Sequence, residues 1–375
     1  MSAKVAVTTI PFLDLSFQSR QVRPEFLAAA DELVAANRFI GGQAVSGFER
    51  DFADFCGVEH CVALNSGTDA LRLALMAAGV QPDEEIITSP FTFIATGEAI
   101  NQVARLVLAD VDPETFNLSP KAVEHQVTRR TGAVVPVHIF GLPADMDRIN
   151  AVAADRGLVV IEDACQAHGA SIRGRMTGRL GHAGAFSFYP SKNLGAFGDA
   201  GAVTSSDGTI AEKVRLLRNH GQTELYTHIV EGFNSRMDAL QARLLSLKLA
   251  HLEAWNAERR RLVDVYREEL AGIDAIRFQR VPDGFRHAYH ILAVLFEERD
   301  DLVAYLKERG IDIRVIYPTP LHLMEAYRNL GSSRGDFPNA ERVCDEVLCL
   351  PLFPGLAQES VVRVAQEIRR FFGSR

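Results

Sequence analysis

Three short segments of this chain carry residue types suited to covalent chemistry on a carbonyl carbon. The first, Asn65-Ser66-Gly67-Thr68-Asp69-Ala70-Leu71, follows an apolar run and opens a helical one. The first amides of a helix have no partner within it and its dipole favours negative charge, so this segment can cradle a phosphate. Gly67 lets the backbone come close, while Ser66 and Thr68 add hydroxyl donors. The simpler reading is an N-cap made by Asn65 or Ser66. The second segment, Val159-Val160-Ile161-Glu162-Asp163-Ala164-Cys165-Gln166-Ala167-His168, is an apolar strand that ends in acids. That end is where α/β proteins place ligand-contacting groups, although Asp163 reads equally well as a helix cap. The third, Ala185-Phe186-Ser187-Phe188-Tyr189-Pro190-Ser191-Lys192-Asn193-Leu194-Gly195, sets Lys192 among small and apolar residues. Poor hydration there lowers an amine's pKa, and the neutral amine attacks carbonyls; an ordinary surface lysine is the plainer alternative.

A phosphate cup, a strand-end carboxylate and a downstream lysine, in that order, are the three attachments that pyridoxal 5'-phosphate (PLP) needs. The cup holds the phosphate, the acid keeps the pyridine nitrogen protonated, and the lysine forms a Schiff base. Phe93, in Pro90-Phe91-Thr92-Phe93, is a candidate to stack on the ring, with core packing as its competitor. The 65–71 loop is neither GxGxxG nor GxxxxGK[ST], which weakens dehydrogenase and P-loop readings.

The elements that must position these residues alternate. Strand candidates lie at 61–64, 85–88, 104–109, 133–139, 158–162, 185–188 and 202–204, with helical spacing between several of them, as in Leu71, Ala74, Leu75 and Ala78. Such alternation predicts an α/β fold on a mainly parallel sheet. From Met237 to about Leu270 the pattern is one long helix without Gly or Pro. Beyond it come fewer strands, the turn Tyr317-Pro318-Thr319-Pro320 and a terminal amphipathic helix at 358–372. The expected division is a large domain over 1–250 and a smaller α+β domain over 251–375.

Composition narrows the function. The chain of 375 residues is 47% hydrophobic and 23% charged, and its net charge of −8 offers no general attraction to nucleic acid or an anionic membrane. Arg259-Arg260-Arg261 is flanked by acids and reads as a solvated helix face. No run approaches a membrane span, and MSAKVAVTTIPFLDL lacks a signal-peptide core. Five scattered cysteines then read as reduced thiols in the cytoplasm, and Cys344 and Cys349 lack the partners of a zinc site, so no metal is expected.

The chain resembles the DegT–StrS type of nucleotide-sugar aminotransferase. The motifs are 65–71, Asp163-Ala164-Cys165-Gln166-Ala167-His168-Gly169-Ala170, Ser187-Phe188-Tyr189-Pro190-Ser191-Lys192 and Gly232-Phe233-Asn234-Ser235-Arg236-Met237-Asp238. They extend to Pro11-Phe12-Leu13-Asp14-Leu15, Phe39-Ile40-Gly41-Gly42 and Tyr317-Pro318-Thr319-Pro320-Leu321-His322, so the likeness spans nearly the whole chain. It implies a PLP-dependent transferase-like fold, with a three-layer α/β/α large domain and a smaller C-terminal one. It implies PLP on Lys192, with Gly67, Thr68 and Ser187 at the phosphate, joined by Asn234 from a neighbouring subunit. Asp163 would meet the ring nitrogen, Gln166 the ring hydroxyl, and Phe93 one ring face. Arg236, also from the neighbour, would contact substrate phosphates or a carboxylate, and together with Tyr317 and His322 on the opposite domain it would line one wall of a groove for a nucleotide sugar. A surface ion pair with Asp238 or Glu231 is the alternative for Arg236. The implied substrates are L-glutamate and a nucleotide-linked keto sugar, in a homodimer with shared sites. Many relatives have histidine where Ile316 stands, so that contact does not carry over. Two rival readings remain: a PLP enzyme acting on amino acids, for which Arg314 or Arg342 could clamp a carboxylate, and a non-catalytic regulatory relative.

Overall fold

The apolar runs assemble side by side. In the computed structural model, which describes residues 9–373, seven of them form one sheet. They are β1 (His60–Leu64), β2 (Glu85–Thr88), β3 (Arg105–Leu108), β4 (Thr131–Val135), β5 (Val159–Asp163), β6 (Ala183–Ser187) and β7 (Gly201–Ser205). Their spatial order is β1-β7-β6-β5-β4-β2-β3. The β2–β3, β2–β4, β4–β5 and β5–β6 pairings are parallel, and β7 runs antiparallel to both its neighbours. All strands but β7 therefore deliver their C-terminal ends to one edge. The run expected at 133–139 stops at Val135, because Pro136 has no N–H to donate to the ladder. A 3-10 turn, Ile139–Gly141, follows.

Successive residues of the strands serve opposite faces. Ile86, Ala133, Val135 and Ile161 pack into one core, while Ile87, Val134 and Val160 pack into another. Helices cover both faces, giving three layers. Buried on both sides, each of these valines and isoleucines contributes about 1.5–3 kcal/mol, which is why the runs read as continuously apolar. Helix α1 (Gly67–Ala77) lies in the first core through Ala70, Leu71, Leu73, Ala74 and Leu75.

A second sheet, β8 (Ile276–Phe278), β9 (Leu292–Phe296) and β10 (Val347–Leu350), is antiparallel. Its Leu292, Val294, Leu348 and Leu350 face a separate core with the terminal helix Gln358–Gly373, while Ala293, Leu295, Val347 and Cys349 join the first core. The β9–β10 face thus sits directly against the large sheet's layers.

Two expectations need correction. The pattern from Met237 to Leu270 is two helices, Ala239–Leu249 and Leu252–Glu269, separated at Ala250-His251. No Gly or Pro marks the break. The first helix packs on helices Ser16–Ala36 and Gly42–Cys56, the second on Gln358–Gly373, and one straight rod would not reach both surfaces. Arg259 is not solvated: it is 1% exposed. The second helix buries Leu252, Trp255, Asn256, Arg259, Leu262, Val263 and Tyr266 on one face. Arg260 and Arg261 point outward to Glu253 and Gln358. No helix among the described residues is long and apolar enough to cross a membrane. Residues 1–8, part of the stretch expected to lack a signal-peptide core, lie outside the described residues.

Candidate active site

The C-terminal ends of β1, β2, β5 and β6 meet the second sheet around a cavity of about 540 Å³. Gly67, Thr68, Phe93, Asp163, Gln166, Ser187, Lys192 and Tyr317 all line it. Gly67 opens α1, with Ser66 as its N-cap, accepting from the Asp69 amide at 3.2 Å. The cap does not exclude a phosphate site: capping satisfies one amide and leaves those of Gly67 and Thr68 at the helix mouth. A side chain at Gly67 would place its Cβ 2.5 Å from Ser187 Cβ. Only glycine lets α1 close on β6 and bring the Ser187 hydroxyl beside the helix mouth. Amides, a positive dipole end and two hydroxyls fit a phosphate.

Asp163 ends β5 at the cavity floor, 7% exposed. Its Oδ2 accepts from Thr96 Oγ1 at 2.8 Å and its Oδ1 from the Cys165 amide at 3.3 Å. No helix follows it, so it caps a turn and not a helix. Gln166 Oε1 accepts from the Phe140 amide at 2.7 Å, which turns its Nε2 to Tyr317 Oη at 3.2 Å. Burial, reinforced by the Asp163 charge, pushes the Tyr317 phenol up, so it stays protonated. Phe93 is 53% exposed, unlike the buried Phe91, and lies tilted against Tyr317 with ring centroids 5.9 Å apart. It is a free aromatic face at the cavity rather than core.

Lys192 stands on a loop folded tightly on itself. The Lys192 amide donates to Tyr189 O, and Lys248 Nζ donates to Gly195 O at 2.6 Å. A Cβ at Gly195 would meet Pro190 O at 2.3 Å. Burial lowers the Lys192 pKa, opposed by Cys165 and Asp163. The amine is thereby more often neutral, as a nucleophile must be.

A family model described as the DegT/DnrJ/EryC1/StrS aminotransferase family matches residues 20–369. The chain belongs to this family. It is 40% identical, over 99% of its length and 98% of the relative's, to a dTDP-3-amino-3,4,6-trideoxy-alpha-D-glucose transaminase of Streptomyces venezuelae. It is 44% identical to a "Pleiotropic regulatory protein" of Geobacillus stearothermophilus, covering 97% of this chain and 98% of that one. Among solved structures, S. venezuelae DesV in complex with a ketimine intermediate superposes with a TM-score of 0.95 at 41% identity, covering 97% and 98% of the two chains.

Three residues that the family resemblance pointed to lie outside the cavity. Asn234 is exposed, and Arg236 lines a separate surface recess with Ile40, Arg215, Arg218 and Asn219. Arg236 Nη1 donates to Asn219 Oδ1 at 3.0 Å, and no ion pair with Asp238 or Glu231 forms among the described residues. His322 is corrected: it is 2% exposed, with Nε2 3.0 Å from Glu341 Oε1 and its ring against Phe337. The turn after Pro320 folds it into the interior instead of onto the cavity wall. No arginine lines the cavity among the described residues, and neither Arg314 nor Arg342 reaches it. Ile316 does line it. The sequence reading missed Thr96, one helical turn beyond Phe93, and His290, which comes from the approach to β9. Nothing in their local spacing set them apart.

Proposed function

We propose that the protein transfers an amino group from L-glutamate to a nucleotide-linked keto sugar, with PLP held through Lys192. The observation that carries this reading is the convergence of Gly67, Thr68 and Ser187, of Asp163, and of Lys192 on one cavity. When bound, PLP supplies a carbonyl that condenses with amines and a protonated ring that takes up electrons. Gly67, Thr68 and Ser187 would hold its phosphate. Asp163, its orientation set by Thr96, would accept from the ring nitrogen and keep it protonated. Gln166 would donate to the ring hydroxyl oxygen, and Phe93 would cover one face. Lys192 Nζ would anchor the group covalently and, once displaced by the amino donor, carry the proton away from the donor's α-carbon.

The substrate class is supported by the names of relatives: the S. venezuelae transaminase above and a UDP-N-acetyl-3-dehydro-alpha-D-glucosamine 3-aminotransferase of Acidithiobacillus ferrooxidans, 41% identical over 97% of this chain. Burial pushes Cys165 well above the ordinary thiol range, and Cys344 and Cys349 up to about 12, so none offers the thiolate of a desulfurase. The regulatory reading has a named relative behind it, yet a purely regulatory chain has no need of a buried amine at a phosphate cup.

The working molecule in this proposal is a cytoplasmic homodimer with shared sites, each chain divided at the break near residue 250 into the two units expected from sequence. Asn234 and Arg236 lie away from their own cavity beside exposed apolar side chains: Phe39, Ile40, Tyr226 and Ile229 are 53–85% exposed. A two-fold partner covering that patch would receive both polar residues at its own cavity. The test of the substrate is single-turnover decay of the aminated cofactor form. Nucleotide-linked keto sugars should react at least tenfold faster than pyruvate at equal concentration; equal rates would make this a general amino-acid aminotransferase.

A further inference from the structure

Two threonine hydroxyls and the Asp163 carboxylate form one buried chain of hydrogen bonds. Strand β2 ends at Thr88, and the chain turns through Ser89-Pro90-Phe91-Thr92 before the helix Ile94–Asn101 opens. That turn is held in place: the Phe91 amide donates to Ser89 Oγ at 3.0 Å, and the Leu321 amide donates to Pro90 O at 2.8 Å. Thr92 precedes the helix and Thr96 lies in its first turn, with their hydroxyl oxygens 2.8 Å apart. Thr96 Oγ1 is also 2.8 Å from Asp163 Oδ2. All three residues line the cavity, yet Thr92, Thr96 and Asp163 are 1, 3 and 7% exposed.

The direction of this chain follows from its protons. A carboxylate only accepts, so the single Thr96 hydroxyl proton goes to Asp163. The Thr92–Thr96 bond then needs the Thr92 proton, and Thr92 donates to Thr96 Oγ1. A threonine hydroxyl in a helix can otherwise turn back to a carbonyl three or four residues earlier. The hydrogen received from Thr92 occupies a lone pair of Thr96 Oγ1 and leaves the Thr96 proton aimed at Asp163. Buried donors in series also polarise one another, so the outer hydroxyl strengthens the inner bond.

We propose that Thr92 is a positioning residue that acts through Thr96 on Asp163: it fixes the Thr96 hydroxyl, and with it the rotation of the carboxylate that meets the cofactor's ring nitrogen. The inference rests on the functional reading above, in which Asp163 keeps that nitrogen protonated. Thr96 and the Cys165 amide hold one Asp163 oxygen each, and Thr92 keeps the first of these holds from swinging away.

The test is nitrogen-15 NMR of the full-length protein loaded with pyridoxamine phosphate labelled at its ring nitrogen. Thr92→Val keeps the volume and removes the hydroxyl, and should move the ring resonance toward that of unprotonated pyridine. Thr92→Ser keeps the hydroxyl and should leave the resonance in place. Thr96→Val should move it at least as far, and adding Thr92→Val to Thr96→Val should change nothing more, because Thr92 acts through Thr96. Turnover of Thr92→Val should fall about tenfold at unchanged KM for glutamate, the rate equivalent of one hydrogen bond. A second readout needs no cofactor: the Asp163 carboxyl carbon-13 resonance, assigned by its loss in Asp163→Asn, should move in Thr92→Val and stay in Thr92→Ser. Resonances indifferent to Thr92→Val, or a Thr92→Val shift that persists in the Thr96→Val background, overturn the proposal. A ring resonance indifferent to Asp163→Asn as well would sink the role of Asp163 in the functional reading. A ring resonance moved by Asp163→Asn but not by Thr92→Val would sink this inference alone.

Discussion

Asp163 has one oxygen taken by Thr96 and the other by the Cys165 amide, so its orientation is set before any ligand arrives. Asp163→Asn keeps the volume, and its amide oxygen can still accept from Thr96. The expected outcome is retained folding and cofactor binding, with single-turnover proton transfer slowed on the order of 10²–10⁴-fold. Turnover near wild type would reduce Asp163 to a turn former. Lys192, Asp163 and Gly67 stood out in sequence because each lies at or just beyond the end of an apolar strand, where side chains reach the sheet edge, and the structure brings all three to one cavity. Thr96 and His290 did not, since one continues a helix and the other leads into a strand with no local mark. Arg259 misled for the opposite reason: Arg260 is half-buried and Arg261 exposed, and only the helix's buried face distinguishes Arg259.

At the scale of elements, α1 fills the first core with its leucines and, in the proposed reading, holds the cofactor's phosphate at its mouth. Gly67→Ala separates the two roles. Helix propensity favours alanine by up to about 1 kcal/mol, but the new Cβ would sit 2.5 Å from Ser187 Cβ and 3.0 Å from Cys165 Sγ, and overpacking of that kind costs about 1–3 kcal/mol. The cost should win. Thermal melting is expected to fall, and a cofactor titration to show affinity weakened by about tenfold or more, on the order of 1.4 kcal/mol. Unchanged affinity would place the phosphate elsewhere. The strands of the large sheet were readable because parallel strands buried on both faces are uniformly apolar. The break at Ala250-His251 was hidden because the two helices diverge to meet different partners, which local spacing does not encode.

At the scale of the molecule, Arg236 and Asn234 are not among the residues lining their own cavity, so a shared site makes a sharp demand. Inactive Lys192→Ala and inactive Arg236→Ala subunits, mixed under conditions that allow exchange, should regain up to about half of the mixed dimers' activity, one intact site in each. No recovery after proven exchange would count against a site shared between subunits. The central claim is that the amino group reaches a nucleotide-linked keto sugar through the Lys192 amine. The direct measurement is mass spectrometry of the sugar product after turnover with nitrogen-15 L-glutamate, in wild type and in Lys192→Arg, which keeps the charge but is not an equivalent nucleophile. Wild type should place the label in an amino sugar, and the variant should fall by orders of magnitude. An unlabelled product, or equal labelling by Lys192→Arg, would contradict it.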